Sequence, residues 1–453
     1  MIAHRRLGAE RLAAVFAGDR AHVLLREATE VWTVDRLLAL AGDVARAVPP
    51  DAGSLVAVRS HSAAFVAASL VGLWTAGRSP LLIDPALATE PSGLRPGGAR
   101  IHVMAPANVV DPWSDVSVPE SGGAPLQPRF PAAAEPEVAF FTSGSTGEPK
   151  IIHKRAFQFG EQHRVEAPWL GLDGPLTVVS FVPAFHILGY IYGFSTPAAR
   201  RGTTVFARGG SPQGWVEMVR AERPRLVVGV TSHYRLMVQL LDAPLPEALY
   251  LCSGGPLDPA IADEFERRAG WPVLQVYGST ETGGIAVRRG SGPMEPFPQL
   301  AWKSRVGDGR LMIKSAWQER PSEWHCTDDV VAVEDATFRL LGRADSVVKI
   351  GGRRFSTGEI VQTALIAPGV AQAHALAYDR FGEPAIALFV VATNGLQHPA
   401  PVPLSAAEVR AHLVSRLAPF KVPRTIHVLA ELPTRGIGKV DEAALRALAT
   451  NGV

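Results

Sequence analysis

The sequence predicts an α/β protein: a large N-terminal domain built on a mainly parallel sheet, a β-rich subdomain, and a smaller α+β C-terminal domain. Three observations lead there. The chain has 453 residues, 47% of them hydrophobic and 19% charged, which is too long for one ordinary domain and apolar enough for a large core. Strand-like and helical stretches alternate as far as about Gly284, the order that builds parallel sheets. Beyond that point Gly, Pro and short strands dominate up to Leu341, and a compact helix and strand pattern follows from about Asp345.

The elements follow in order. Residues 33–48 (TVDRLLALAGDVARAV) space their apolar side chains as a helix, with Thr33 as N-cap. Residues 54–58 read as a short buried strand, 63–76 as a helix apolar on most faces, and 80–84 (PLLID) as a second strand. Strand, helix, strand predicts a right-handed βαβ unit. From 105 to 137 the composition turns to Pro, Ala, Ser and Gly, which reads as a surface connection rather than a packed element. Strands resume at 138–141, 176–182, 203–206, 225–230, 248–252 and 273–276. In the C-terminal part, helices are expected at 357–366 and 406–417 and at the end of the chain, with strands at 372–378 and 385–392. No internal repeat is present.

Composition excludes several function classes. Lys plus Arg total 45 and Asp plus Glu 43, a net charge of +2 with no basic block, so nucleic acid is not an expected partner. Two cysteines, Cys252 and Cys326, cannot build a disulfide framework or a zinc cluster, which fits a reducing compartment. The N-terminal segment MIAHRRLGAERLAAVF lacks a long apolar run and a cleavage site, and no run reaches the length of a membrane span. A soluble, cytoplasmic protein is expected.

The chemistry begins at Thr142-Ser143-Gly144-Ser145-Thr146-Gly147-Glu148-Pro149-Lys150, which follows a strand. Glycines let consecutive backbone N–H groups point into one concavity, the hydroxyls of Thr142, Ser143, Ser145 and Thr146 add donors, and Lys150 adds charge, all suited to phosphate oxygens. The order GxxxxGK[ST] is absent, so this is not a Walker A loop. A Ser/Gly loop alone reads most simply as a flexible connection; the nine-residue string is far more specific.

That string resembles the phosphate loop of the acyl-adenylate-forming superfamily, which holds acyl-CoA synthetases, aryl acid ligases, luciferases and peptide-synthetase adenylation domains. Further segments resemble its motifs in order. Pro183-Ala184-Phe185-His186-Ile187-Leu188-Gly189 is similar to the PxxHxxG segment, which puts His186 near the acid and ATP. Ser253-Gly254-Gly255-Pro256-Leu257 is similar to the adenine-contacting turn, with Gly where Ala is usual. Tyr277-Gly278-Ser279-Thr280-Glu281 matches YGxTE, where an aromatic stacks on adenine, a hydroxyl reaches the α-phosphate and a carboxylate holds Mg²⁺. Cys326-Thr327-Asp328-Asp329 stands where the family has Thr-Gly-Asp, which makes Asp329 the ribose ligand, although Asp328 replaces the Gly. Gly342-Arg343-Ala344-Asp345, then Lys349, Gly352, Arg354 and Glu359-Ile360, reproduce GRxDxxxKxxGxRxxxxEI. Pro433 to Asp441 resembles the C-terminal PxxxxGK motif and puts Lys439 at the adenylation lysine. A lone His, turn or tail Lys would read as core or solvated surface; the ordered set does not. Two departures stand out: the stretch between Glu281 and Asp329 is short, and Gly309-Arg310-Leu311 stands where Gly-Glu-Leu is common.

The resemblance covers nearly the whole chain. It implies doubly wound sheets in an ATP- and acid-binding domain at 1–343 and a mobile lid at 344–453, hinged at Asp345. It implies a ligase that uses ATP and Mg²⁺, forms an acyl- or aryl-adenylate with release of pyrophosphate, and passes the acyl group to coenzyme A or to carrier-protein phosphopantetheine. Thr142, His186, Thr280, Glu281 and Lys439 would act at the reacting groups, Glu281 as metal ligand. The loop 143–147, Lys150, 253–256, Tyr277, Gly278, Asp329, Arg343 and Lys349 would hold the nucleotide and the later acceptor. Because the chain ends soon after Lys439, any carrier protein is expected to be separate. Peptide-synthetase domains place an Asp after the His region to pair with the substrate ammonium; here 185–194 (FHILGYIYGF) holds no acid but offers Phe185, Tyr190, Tyr192 and Phe194, either as a flat slot or as core. With 229–233 as a polar wall, an aromatic or modest acyl acid is expected. Open alternatives are a non-thiol acceptor such as an amine, nitrite or internal hydroxyl, a degenerate nucleotide-binding module, and a γ-phosphate-transferring kinase or NTPase, the last disfavoured by the missing Walker A and kinase motifs.

Overall fold

The computed structural model describes residues 15–16, 18–27, 30–87, 101–109, 111, 114–120, 122–128, 135–142, 150–207, 209–255, 257, 259–290, 292–344, 347–350, 353–380, 383–392, 404–435 and 439–451. The chain divides into two compact units, 1–301 with 314–323, and 302–313 with 324–453. No helix among the described residues is long and apolar enough to cross a membrane.

The first unit holds two large sheets. In the nine-stranded sheet the order is Glu295–Pro296, Gly283–Arg289, Val273–Ser279, Leu249–Ser253, Leu226–Val230, Thr177–Ser180, Thr203–Phe206, Val23–Glu27 and Glu30–Thr33. The six strands from Val273–Ser279 across to Val23–Glu27 are mutually parallel, and both edges turn antiparallel. The central strands LVVGV and LYLCS are buried almost throughout because helices cover both faces of a parallel sheet. Tyr234, Tyr250 and Phe265 pack edge-on beneath them. The six-stranded sheet runs Val116–Val118, Val103–Pro106, Leu55–Arg59, Ser79–Ile83, Glu137–Thr142 and Lys150–Arg155, parallel except for the last strand.

Leu55–Arg59, Ala63–Thr75 and Ser79–Ile83 form the expected strand, helix, strand unit, with its two strands parallel. Thr33 caps Val34–Ala47 by accepting from the Arg36 backbone N–H at 3.2 Å. Ala63–Thr75 is buried from Ala63 to Trp74, in keeping with its all-round apolar sequence. Its N-terminus takes the buried Glu27 carboxylate, which accepts from the Ala63 N–H at 2.6 Å and the Ser62 hydroxyl at 2.7 Å; negative charge is stabilised at that end of a helix. One expectation needs correcting. The stretch 105–137 is not wholly a surface connection, since Val103–Pro106 reaches into it and Val116–Val118 extends the six-stranded sheet with Val116 and Val118 buried. Three strand residues are too few for periodicity to register against a Pro-rich background.

The second unit contains most of an antiparallel meander, Ala301–Ser304, Arg310–Lys314, His325–Glu334 and Thr337–Arg343. It continues with the sheet Val370–Arg380, Glu383–Ala392 and Thr425–Leu429. Helices Thr357–Leu365 and Ala406–Val414 cover one face of that sheet and Glu442–Asn451 the other, the α+β pattern expected from sequence.

Candidate active site

In the first unit the parallel sheet does the gathering. Four strands, Thr177–Ser180, Leu226–Val230, Leu249–Ser253 and Val273–Ser279, run side by side in the same direction. Their carboxyl ends therefore deliver His186, the 229–233 segment, Ser253-Gly254-Gly255 and Tyr277–Glu281 to one edge of one sheet. Crevices outside the carboxyl ends of such strands are where open α/β sheets take ligands.

The His186 segment turns into a π-helix at Gly189–Ser195. A Cβ on residue 189 would lie 2.1 Å from the Pro183 carbonyl oxygen, which explains the glycine of PxxHxxG as a close backbone approach. His186 opens to solvent (side chain 51% exposed), with Nε2 3.8 Å from Asp84, and desolvation of the ring lowers its pKa against the opposing pull of that carboxylate. The rings of this segment are mostly core. Tyr190 packs against Phe140, Phe159 and Phe194, and Phe185 lies against His61 and His186. In the neighbouring wall His233 accepts from the Val230 N–H at 3.0 Å and is held neutral, burial bringing its pKa down to about 4. Thr231 donates to the Gly255 carbonyl at 3.0 Å, fixing the 253–255 turn, where Gly254 adopts φ +84°.

Tyr277, Gly278, Ser279, Thr280 and Glu281 form the tip of the Val273–Ser279 and Gly283–Arg289 hairpin. Its chains approach so closely that a Cβ on residue 278 would stand 2.2 Å from the Gly283 oxygen. Ser279 and Thr282 lock the tip through a 3.0 Å hydroxyl pair. Glu281 is exposed, and its carboxylate takes no hydrogen bond from any described residue. One free carboxylate suits Mg²⁺, which keeps several waters and takes further oxygens from substrate phosphates.

Thr142 ends the strand Glu137–Thr142 and Lys150 begins the antiparallel strand Lys150–Arg155, the two residues facing each other across the ladder. Loop residues Ser143, Gly144, Ser145, Thr146 and Gly147 lie outside the described residues, as does Pro256. In the second unit Asp329 and Arg343 are register partners on adjacent strands. Asp328, which replaces the family's Gly, bonds Arg343 at 3.0 Å and Arg310 at 3.4 Å, so the residue that departs from the motif is tied to its neighbour. Lys349 sits in the hairpin Val347–Ile350 with Arg353–Ser356, and Lys439 in the two-residue strand Lys439–Val440.

Sequence reasoning missed a second layer. The strand Lys150–Arg155 and the helix Ala156–Trp169 bury Lys154, Gln158, Gln162 and Glu166, a polar face at i, i+4, i+8, i+12. Lys154 Nζ donates to the Glu281 carbonyl at 2.7 Å, and Gln158 donates to the Trp317 carbonyl at 3.1 Å. Burial brings the Lys154 pKa down to about 8, opposed by the Glu281 and Glu319 carboxylates. Tyr192 donates to Glu166 at 2.6 Å, and burial pushes that carboxyl up to about 7. Thus no acid lies within 185–194, yet one reaches the segment from a distant helix. The signal was present as polar residues recurring every four positions. Cys252 is inert, its thiol pushed up to about 12 by burial.

Comparison with known proteins fits this architecture. The AMP-binding enzyme model matches residues 5–308 and the AMP-binding enzyme C-terminal domain matches 362–439. The chain belongs to the AMP-binding enzyme family. Enzymes of this family use ATP with Mg²⁺. A mitochondrial acyl-coenzyme A synthetase of Rattus norvegicus is 24% identical over 69% of this chain, which spans 62% of that relative's length. A 3,4-dihydroxybenzoate–[aryl-carrier protein] ligase of Bacillus anthracis is 22% identical over 69% of this chain and 74% of its own. The O-succinylbenzoate coenzyme A synthetase structure from Bacillus subtilis, in complex with AMP, superposes with a TM-score of 0.79 at 19% identity, covering 96% of this chain and 97% of that one.

Proposed function

We propose that this protein is an ATP-dependent acid ligase that joins a carboxylic acid to AMP, releases pyrophosphate, and transfers the acyl group to a thiol. The observation that carries the reading is the convergence of His186, Ser253–Gly255 and Tyr277–Glu281 at the carboxyl ends of adjacent parallel strands. Kinship with acyl- and aryl-acid ligases supports it.

The chemical problem is to bring a carboxylate onto a phosphorus surrounded by negative oxygens. Positioning and charge neutralisation answer it, and no general base is needed because the nucleophile is already ionised. The carboxylate oxygen attacks the α-phosphorus, the bond to the bridging oxygen breaks, and pyrophosphate leaves with that electron pair. Bound Mg²⁺ would supply charge neutralisation across the phosphate oxygens. Glu281 would hold the metal, Thr280 the α-phosphate, and the donors of 142–147 with Lys150 the β- and γ-phosphates. Tyr277 and the 253–256 turn would hold the adenine, and Asp329 with Arg343 the ribose. Lys439 would contact both carboxylate and phosphate as a point charge. In the second half-reaction 344–453 would act as a lid whose rotation withdraws Lys439 and brings the face around Lys349 to the thiol. The acceptor is coenzyme A or carrier-protein phosphopantetheine, in a reducing, cytoplasmic setting.

The acid is aromatic or of modest size, as the benzoate-type relative supports. An ATP–pyrophosphate exchange screen over hydroxybenzoates, cinnamates, fatty acids and amino acids tests the reading. Acid-dependent exchange is expected, strongest with aryl acids. Release of inorganic phosphate in place of pyrophosphate would overturn the ligase reading, and preference for an amino acid would overturn the substrate class alone.

A further inference from the structure

Resting on that reading, we propose that Lys154 is a positioning residue for the metal and phosphate step, holding the Thr280–Glu281 turn from behind. Its side chain is buried, with the residue 3% exposed, although lysine is among the residues least often found inside. Within the described residues its one hydrogen-bond acceptor is the backbone carbonyl of Glu281, at 2.7 Å. Burying an ammonium is costly unless it is hydrogen-bonded, so this carbonyl is the contact that holds the Lys154 side chain in place. Here the bond joins the strand that leaves the phosphate loop to the very residue assigned to Mg²⁺.

Lys154 is also the first rung of a ladder. Gln158, four residues on in the helix that follows, donates to the Trp317 carbonyl at 3.1 Å, and Trp317 Nε1 in turn donates to the Gly284 carbonyl at 3.0 Å. Gln162 and Glu166 pack so close to Gly283 and Gly284 that a Cβ on residue 283 would come within 2.5 Å of the Gln162 amide oxygen, and one on residue 284 within 2.0 Å of a Glu166 carboxyl oxygen. The segment immediately after the phosphate loop therefore backs residues 281–284 along its whole length. Of its polar residues, Lys154 alone bonds Glu281 itself. Losing that bond frees the turn to rotate and moves the carboxylate off the metal, while the core beneath remains filled.

The test compares Lys154→Met, which keeps the length and removes the ammonium, with Gln158→Leu, which breaks a bond on the same buried face that does not reach Glu281. In ATP–pyrophosphate exchange, Lys154→Met is expected to raise the Mg²⁺ concentration for half-maximal rate about tenfold or more, with the rate at saturating Mg²⁺ changed far less, the pattern of lost ligand positioning rather than lost chemistry. Gln158→Leu is expected to leave the Mg²⁺ dependence at the wild-type value. A second readout needs no turnover: the rise in Tm given by ATP with Mg²⁺ over ATP with EDTA should shrink in Lys154→Met and persist in Gln158→Leu. Equal Mg²⁺ dependence in Lys154→Met and wild type, or equal shifts in both variants, would overturn the proposal and leave Lys154 a structural residue. If wild-type protein exchanges with no acid, the ligase reading fails, and the thermal comparison still decides Lys154.

Discussion

Replacing Glu166 with Gln should stabilise the protein, and by more as the pH rises. The carboxyl is 1% exposed, accepts the Tyr192 hydroxyl at 2.6 Å, and sits against the backbone of Gly284. Burial raises its pKa from 4.5 to about 7. The folded protein therefore keeps this proton up to about pH 7, whereas the unfolded chain releases it near pH 4.5. Between those values the folded state binds more protons, so stability is lost as pH rises through the window and the full cost is present above it. At about 1.4 kcal/mol per pH unit the window corresponds to about 3 kcal/mol. Gln keeps an acceptor for Tyr192 and carries no charge, so it escapes that cost. Thermal unfolding at pH 5 and at pH 8 measures it. The Tm of Glu166→Gln minus that of wild type should grow between the two by on the order of 5 °C. A difference that stays flat, or that falls with pH, would refute the argument that this carboxyl is buried without a compensating charge.

Three further outcomes are expected. Glu281→Gln should slow pyrophosphate exchange and raise the Mg²⁺ requirement, because a neutral amide is a poorer ligand for a hard cation; an unchanged Mg²⁺ titration removes Glu281 from the metal site. Lys439→Ala should cripple adenylate formation while thioester formation from supplied acyl-adenylate proceeds, and an equal fall in both half-reactions with the fold intact would count against the alternating lid. Gly284→Ala should cost about 1–3 kcal/mol by overpacking, since its Cβ would meet Glu166 Oε1 at 2.0 Å and Phe297 Cε2 at 3.0 Å; a denaturant midpoint equal to wild type would contradict the close packing.

Much of this protein is determined locally and was legible in the sequence. Thr33 as a cap, the all-apolar helix Ala63–Thr75, and the runs LVVGV and LYLCS follow from hydrogen-bonding and burial rules that act over a few residues. One motif glycine is legible for a related reason: a Cβ on residue 189 would lie 2.1 Å from the Pro183 carbonyl oxygen, so the backbone there requires glycine. Only the tertiary structure decided which rings are core, what faces Glu281, and where charge is buried. Tyr190 could have lined a slot; its partners Phe140 and Phe159 come from other elements, and no periodicity within 185–194 names them. Lys154 and Glu166 look like ordinary surface charges on a strand and a helix, yet they meet Glu281 and Tyr192 across 127 and 26 residues. Burial and pKa are set by neighbours brought together by folding, whereas propensity and spacing are properties of the chain alone, and that difference divides what the sequence determined here from what it did not.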